Sequence, residues 1–142
     1  MREVIGWPIR VWLALFTLGF AAVLSIGVAL SDEMLLIAFS ITAIAIFILG
    51  YRSRLVITAT QEELRVGRAK IESKYIDSVE ILDQEAMKFE RGPGIDPRAF
   101  LAIRFWVKSG VKLKINDSRD PTPYWLISTD KPAELKEVLK KI

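Results

Sequence analysis

The sequence contains neither cysteine nor histidine among its 142 residues. The absence of cysteine excludes disulfide bonds and thiolate nucleophiles, and the absence of histidine removes imidazole as a catalytic base. Nearly all transition-metal sites need one of these two residue types. We therefore expect no catalytic residues, no metal site and no cofactor, and we predict a protein that is not an enzyme.

Charge is scarce in the first third of the chain. Over residues 11–51 the only charges form an Asp32-Glu33 pair, which separates two apolar runs. A helical run of about 18–20 residues matches a hydrocarbon core of ~30 Å, because a helix rises about 1.5 Å per residue. A chain in lipid must also satisfy its own backbone hydrogen bonds. The sequence therefore predicts a transmembrane helical hairpin over residues 1–51, with spans at about 11–30 and 34–51.

Basic residues flank the predicted spans on one side only. Arg2 and Arg10 precede the first span, Arg52 and Arg54 follow the second, and the loop between the spans has no basic residue. Positively charged flanks stay on the cytoplasmic side of a membrane. We therefore expect a multi-pass protein of the cell membrane with both termini in the cytoplasm. Neither span contains an ionisable residue, which disfavours a channel or transporter.

The remaining part of the chain, residues 52–142, alternates apolar and polar residues with the period of two that is typical of strands. Turn signals separate the alternating segments, and together they predict about seven antiparallel strands. The strongest predicted strand covers residues 99–107, and the last predicted strand covers residues 124–128. Apolar residues at helical spacing predict a final amphipathic helix over residues 131–142. The predicted fold class is therefore α+β, with a two-helix membrane hairpin followed by a cytoplasmic domain of strands and one helix.

Two resemblances accompany this pattern. The order of strands and closing helix resembles the pleckstrin-homology-like (PH-like) fold, an antiparallel β-barrel capped by its C-terminal helix. Three segments resemble a narrower family of bacterial two-span membrane proteins, the domain of unknown function 3093. They are Gly-Pro-Gly-Ile-Asp-Pro-Arg-Ala-Phe at 92–100, Asp-Pro-Thr-Pro-Tyr-Trp at 120–125, and Ser128-Thr129 ahead of Pro132. This family has no established activity, so the resemblance implies an inner-membrane location and a topology rather than a function.

The first candidate site is one face of a predicted hairpin that turns at Ser109-Gly110. If its two strands pair, basic and aromatic side chains form one patch that suits anionic lipid headgroups or a partner protein. The members of this predicted binding surface are Arg104, Trp106, Lys108, Lys112 and Lys114. The alternative interpretation is a solvated sheet face that binds nothing.

The second candidate site is a pocket between two loops that Asp-Pro turn signals predict. Its expected lining residues are Arg98, Asp120, Tyr124 and Trp125. In the alternative interpretation the aromatic side chains fill one end of the barrel. Arg98 then only holds the two loops together, through an ion pair with Asp120 or Asp117.

Together these features favour a non-catalytic scaffold or regulatory module that is integral to the lipid bilayer. Its expected partners are a membrane-associated protein, a peptide or anionic lipid headgroups. A formal net charge of only +3 gives little support for binding nucleic acid. One alternative is a subunit of a membrane enzyme that acts on a lipid-linked substrate, which predicts converging side chains near Arg98 and Asp120. Another is a purely structural subunit of a larger membrane complex.

Overall fold

A computed structural model describes residues 1–140 and divides the chain into two compact units. The sheet unit comprises residues 1–5 and the chain from Leu55 onward, and the helical unit comprises residues 6–54. The first five residues, which the sequence analysis assigns to the hairpin, therefore belong to the sheet unit. In chain order the elements are β1 (Arg2–Ile5), α1 (Ile9–Gly27), α2 (Asp32–Arg52), β2 (Leu55–Ala59), β3 (Glu63–Val66), β4 (Ala69–Glu72), a 3-10 turn (Ser73–Tyr75), β5 (Ile76–Leu82), α3 (Gln84–Glu90), β6 (Phe100–Ala102), β7 (Gly110–Ile115), β8 (Tyr124–Ser128) and α4 (Pro132–Lys140).

The helical unit is a pair of helices, each long and apolar enough to cross a membrane. α2 begins at Asp32 because the Ser31 side chain accepts a hydrogen bond from the Met34 backbone N–H at 3.4 Å. Asp32 and Glu33 lie in the first turn of α2, where the helix dipole favours negative charge. The acidic pair that the sequence analysis places between the two spans is thus part of the second helix.

The two helices approach each other closely at small residues. A Cβ atom added to Gly50 would lie 2.3 Å from the Trp12 ring, and one added to Gly19 would lie 2.9 Å from Thr42. The Trp12 and Phe47 rings are in contact, with centroids 5.4 Å apart. The glycines therefore allow the two helices to approach each other closely, and aromatic side chains fill the remaining space between them. Small residues at the contact are common between apolar helices.

The first sheet is an antiparallel meander in the order β1-β2-β3-β4. β1 pairs with β2 so that Ile5 lies opposite Leu55. The chain therefore leaves for the helical unit and returns from it at two residues that are neighbours in this sheet. The tight turn between β3 and β4 contains Gly67, whose φ of +60° is a conformation that favours glycine.

The second sheet has the order β5-β7-β8-β6. β7 runs antiparallel to both of its neighbours, whereas β6 runs parallel to β8. All five residues of β8 are buried. This burial shows that both faces of the strand are covered.

One face of the second sheet shares the main core with the first sheet and with α4. α4 contributes Leu135 and Leu139, which are four residues apart and therefore lie on one face of the helix. Burying a leucine side chain stabilises a fold by about 1.5–3 kcal/mol. Directly before α4, Thr129 Oγ1 accepts a hydrogen bond from the Lys131 N–H at 3.0 Å, which turns the chain into the helix.

The other face of the second sheet is covered by α3. Met87 on α3 packs with Leu82, Tyr124 and Leu126 in a smaller core. The helix starts where the Asp83 side chain accepts a hydrogen bond from the Ala86 N–H at 2.9 Å. The sheet is therefore the middle layer of this unit.

The α+β class and the final helix are confirmed, but the predicted closed barrel is wrong. The strands of residues 1–140 form two separate four-stranded sheets, and β1 adds a strand that the sequence analysis does not predict. β1 escapes prediction because it has only four residues, two of them charged. Lys141 and Ile142, the last residues of the predicted helix, lie outside the described residues.

The predicted strand over residues 99–107 is wrong in its extent and in its partner. β6 ends at Ala102, and a turn follows in which the Val107 N–H donates to the Arg104 carbonyl at 3.0 Å. This turn contains no glycine or proline, and the apolar alternation continues through it. The sequence therefore gives no sign that the strand ends at Ala102. β6 and β7 do not form a hairpin, because β8 lies between them.

Candidate functional site

The segment between β6 and β7, residues 103–109, forms what we name the aromatic loop. Phe105 at its tip is 73% exposed and contacts the Trp106 ring edge to face, with centroids 4.7 Å apart. Trp106 packs against the main core, and Arg104 and Lys108 flank the two aromatic residues. The loop therefore presents one large apolar side chain between two basic residues.

Hydrogen bonds hold the aromatic loop to the end of β8. The Arg104 N–H donates to Ser128 Oγ at 2.9 Å, and Ser109 Oγ donates to the Thr129 carbonyl at 2.7 Å. Val107 is buried in the main core. Both ends and the middle of the loop are therefore held to the rest of the sheet unit.

The buried Glu3 carboxylate links β1, at the start of the chain, to the segment between β8 and α4. Thr129 Oγ1 donates a hydrogen bond to one Glu3 carboxylate oxygen, and the Asp130 N–H donates to the other at 2.9 Å. Glu3 is 9% exposed. Gly6, where the helical unit begins, follows three residues later, at most about 10 Å along an extended chain. Thr129 therefore contacts both β1 and the end of the aromatic loop.

The predicted binding surface is not one patch, because its strands do not pair. Arg104, Trp106 and Lys108 lie in the aromatic loop, whereas Lys112 and Lys114 lie on β7 between β5 and β8. Lys112 also makes side-chain contacts within the sheet unit.

Lys112 forms the least exposed ion pair that we find in residues 1–140. Its Nζ lies 2.8 Å from a Glu90 carboxylate oxygen and 4.4 Å from the centre of the Tyr124 ring. The ion pair joins α3 to the sheet that it covers. Lys112 therefore has a structural role that the sequence analysis does not anticipate.

The predicted loop pocket is assembled only in part: Asp120 and Trp125 both line a cavity of about 210 Å³, whereas Arg98 and Tyr124 do not. Tyr124 and Trp125 are consecutive on β8, so their side chains point to opposite faces of the sheet. Tyr124 lies in the smaller core, and its hydroxyl accepts a hydrogen bond from the Asp96 N–H at 2.9 Å. Trp125 lies in the main core and contacts Phe100, with ring centroids 4.4 Å apart. The two aromatic residues fill the interior rather than line one pocket.

The polar members of that predicted pocket are satisfied locally. Arg98 forms an ion pair with Asp96 at 3.0 Å, and Asp120 accepts a hydrogen bond from the Thr122 N–H at 2.9 Å. The side-chain hydrogen bond from Arg98 lowers the pKa of Asp96 and raises the pKa of Arg98. Neither Arg98 nor Asp120 faces the other in any contact of the described residues.

The loop after β7 repeats this local pairing. Asp117 accepts hydrogen bonds from the Arg119 backbone and side chain, and both lower the pKa of Asp117. Arg119 also donates to the Tyr75 hydroxyl at 2.6 Å. The same local motif therefore occurs twice, at residues 96–98 and 117–119. In each, the Asp side chain forms a turn and makes an ion pair with the Arg two residues later. Both are explained by local structure.

Within the part of the chain that the structure describes, no group of three or more acidic side chains is arranged to hold a metal ion. The residues that sequence analysis misses are Phe105 and Glu3. In the predicted strand over residues 99–107, Phe105 alternates with Arg104 and Trp106 and so falls on the face opposite the predicted binding surface, because the turn at its position carries no signal. Glu3 reads as an ordinary charge ahead of the first span, although its contact with Thr129 spans nearly the whole chain.

Comparison with known proteins places the chain in one family. No curated protein and no solved structure matches it. A family model does match, and it covers almost the whole chain, including both apolar helices and all the strands. The chain belongs to the family described as "Protein of unknown function (DUF3093)", whose model matches residues 2–139.

Proposed function

We propose that the protein is integral to the bacterial inner membrane, spans it twice with both termini in the cytoplasm, and acts there as a non-catalytic binding module. The outward side chains of α1 and α2 support the membrane location. Large apolar residues are exposed along both helices, among them Leu13, Leu18, Ile41, Ile44 and Phe47. Such a surface is unfavourable in water and matches lipid.

The four arginines around the helices support the orientation. The loop between α1 and α2 contains no basic residue, whereas Arg10 lies at the start of α1 and Arg52 at the end of α2. Under the positive-inside rule, the sheet unit then faces the cytoplasm. We further propose that this unit is an open relative of the PH-like domain. Its support is the strand meander, the second sheet and the final helix that inserts Leu135 and Leu139 into their shared core.

We assign the membrane contact to the aromatic loop, and the observation that carries it is the exposure of Phe105, which is 73% exposed between the basic residues Arg104 and Lys108. Hydrogen bonds from the Arg104 N–H and the Ser109 hydroxyl hold the loop to the end of β8, so Phe105 stays at the surface of the sheet unit. Phe105 can then enter the interface, while Lys108 meets anionic headgroups. Each basic residue near an anionic surface contributes about 1 kcal/mol, and burying the Phe105 ring contributes about 1.5–3 kcal/mol.

The alternative of an enzyme subunit that acts on a lipid-linked substrate draws no support from the described residues. It requires Arg98 and Asp120 to converge, and each is instead bound to a residue two positions away along the chain. The membrane-contact proposal rests on contacts of the aromatic loop that this alternative does not need.

The topology can be tested with single cysteines, because the native chain has none. Val28 between the two helices is 95% exposed, and Ser118 is exposed in the loop after β7. We expect a membrane-impermeant maleimide to label Val28→Cys in intact spheroplasts, and to label Ser118→Cys only after lysis. Labelling of Ser118→Cys in intact spheroplasts would contradict the proposed orientation.

The membrane contact can be tested by fluorescence quenching in liposomes. We expect an environment-sensitive fluorophore on Phe105→Cys to be strongly quenched by spin-labelled lipids, because the loop tip lies in the interface. Lys108→Glu in the same protein should reduce this quenching in anionic liposomes and leave it unchanged in neutral ones.

Ser118→Cys is the matched control for this experiment. The aromatic loop precedes β7 and Ser118 follows it, so the two labels lie at opposite ends of a strand about 20 Å long. The control fluorophore should show little quenching. Equal quenching of both labels, or none at Phe105→Cys, would refute the membrane contact.

A further inference from the structure

We propose that the free edge of β5, together with the adjacent part of α4, binds an extended peptide segment of a partner protein as an added strand. The inference goes beyond the membrane contact and does not depend on it, because no residue of the site belongs to the aromatic loop. It assigns a protein-binding role to a surface remote in sequence from the aromatic loop.

The first observation is the position of β5 in its sheet. β5 is an edge strand that pairs with β7 on one side, and no strand of residues 1–140 pairs with its other side. Along that side the backbone N–H and C=O groups have no strand partner among residues 1–140, and an unpaired edge of this kind can accept another extended chain. Peptides bind to such edges through main-chain hydrogen bonds, and pockets beside the edge select their side chains.

The second observation is a cavity of about 420 Å³ beside this edge. It is formed where the 3-10 turn, β5 and α4 meet, and its lining includes Ser73, Val79, Leu139 and Lys140. The apolar part of this lining suits one side chain of an added strand. The cavity therefore supplies the side-chain pocket that binding at a strand edge uses.

The third observation is a hydroxyl group without a partner. Ser73 is 3% exposed, and its Oγ makes no hydrogen bond with any group of residues 1–140. Buried polar groups are nearly always hydrogen-bonded, so an orphan hydroxyl needs an explanation. Here the residue lines the cavity beside the strand edge, where a peptide group of the ligand can supply the missing partner.

Charge favours a peptide over a second copy of this chain. Lys140, in the last turn of α4, makes no ion pair among the described residues and can meet an acidic residue of the peptide. β5 itself carries two exposed acidic residues, Asp77 and Glu80. Pairing β5 with β5 of another copy would bring these carboxylates towards one another, which destabilises a strand pair.

A bulge limits the length of the edge that can pair. The register of β5 against β7 shifts between Ile76 and Ser78. Bulges bend an edge strand and protect it from indiscriminate pairing. We therefore expect the peptide to pair with the straight part of β5, over Ser78–Leu82.

The test uses the full-length protein in detergent micelles and a phage-displayed library of random twelve-residue peptides. We expect selection to enrich sequences with alternating apolar residues and at least one acid. The synthesised peptide should slow amide hydrogen exchange in β5 and leave exchange in β3 unchanged. Failure to enrich any such peptide would overturn the proposal.

Ser73→Ala separates a binding role from a structural one. Removing an orphan buried hydroxyl should not lower the stability of the free protein, whereas the loss of its hydrogen bond to the peptide should weaken binding about fivefold. Lys140→Glu should also weaken binding. Its matched control is Lys88→Glu, an exposed lysine in the last turn of α3, which should leave affinity unchanged.

Three results would count against the proposed site. Unchanged affinity in both Ser73→Ala and Lys140→Glu would show that the peptide binds elsewhere. Equal losses in Lys140→Glu and Lys88→Glu would show non-specific charge attraction. Concentration-dependent protection of β5 without peptide would identify a second copy of the chain as the occupant.

Discussion

Replacing Gly110 with alanine is expected to lower the free energy of unfolding of the sheet unit by about 3 kcal/mol, the upper end of the cost of overpacking. Gly110 begins β7 directly after the aromatic loop. A Cβ atom there would lie 2.5 Å from the Ile127 carbonyl oxygen and 2.6 Å from Met87 Sδ. Met87 can move, but the carbonyl belongs to the central strand of the sheet and cannot.

Urea-dependent proteolysis of the full-length protein in detergent micelles, followed at cleavage sites beyond Leu55, measures this change. Gly6→Ala is the matched control, because its Cβ would meet only Arg54 at 3.9 Å, an ordinary contact. Its effect should stay within about 1 kcal/mol. If Gly110→Ala were no more harmful than Gly6→Ala, the close approach of β7, β8 and α3 would be wrong.

Replacing Glu3 with alanine is expected to destabilise the sheet unit by about 2–3 kcal/mol. The substitution leaves the Thr129 hydroxyl and the Asp130 N–H without their acceptor, and losing the partner of a buried donor costs about 1–3 kcal/mol. It also frees β1 from the start of α4. Amide exchange should therefore accelerate in β1 and at the start of α4 before it accelerates in β7.

The same substitution tests whether the Glu3–Thr129 link positions the aromatic loop. A fluorophore on Phe105→Cys should show a broader range of depths in liposomes when Glu3 is also replaced. Arg2→Ala is the control, since Arg2 is the exposed neighbour of Glu3 on β1 and should change stability by no more than about 0.5 kcal/mol. If both substitutions behaved alike, Glu3 would have no special role in joining the two ends of the sheet unit.

Sequence analysis succeeded where the signal is local and long. The two apolar helices follow from two runs of about 18–20 residues that lack charge, and α4 follows from Pro132 and the spacing of Leu135 and Leu139. β8 was also predicted correctly, because Tyr124–Ser128 is a short apolar run bounded by turn residues.

The predictions failed where neighbours in the sheet are distant in the sequence. β6 and β7 follow each other along the chain, so a hairpin was predicted, but β8 lies between them and β6 runs parallel to it. The pairing of Lys112 with Glu90 depends on α3 covering this sheet, which no local pattern indicates. Each of the two predicted sites therefore combined residues that do not all lie together in the fold.

The sequence by itself determined the two long apolar helices, the α+β class and the absence of thiol and imidazole chemistry, because each depends on composition or on spacing within one segment. Only the tertiary structure decided which side chains meet: Glu3 with Thr129, Phe105 alone at the tip of its loop, and Ser73 beside the edge of β5. The physical reason is that strand pairing is set by the packing of faces against a shared core. A pattern of period two specifies those faces without naming the partner strand.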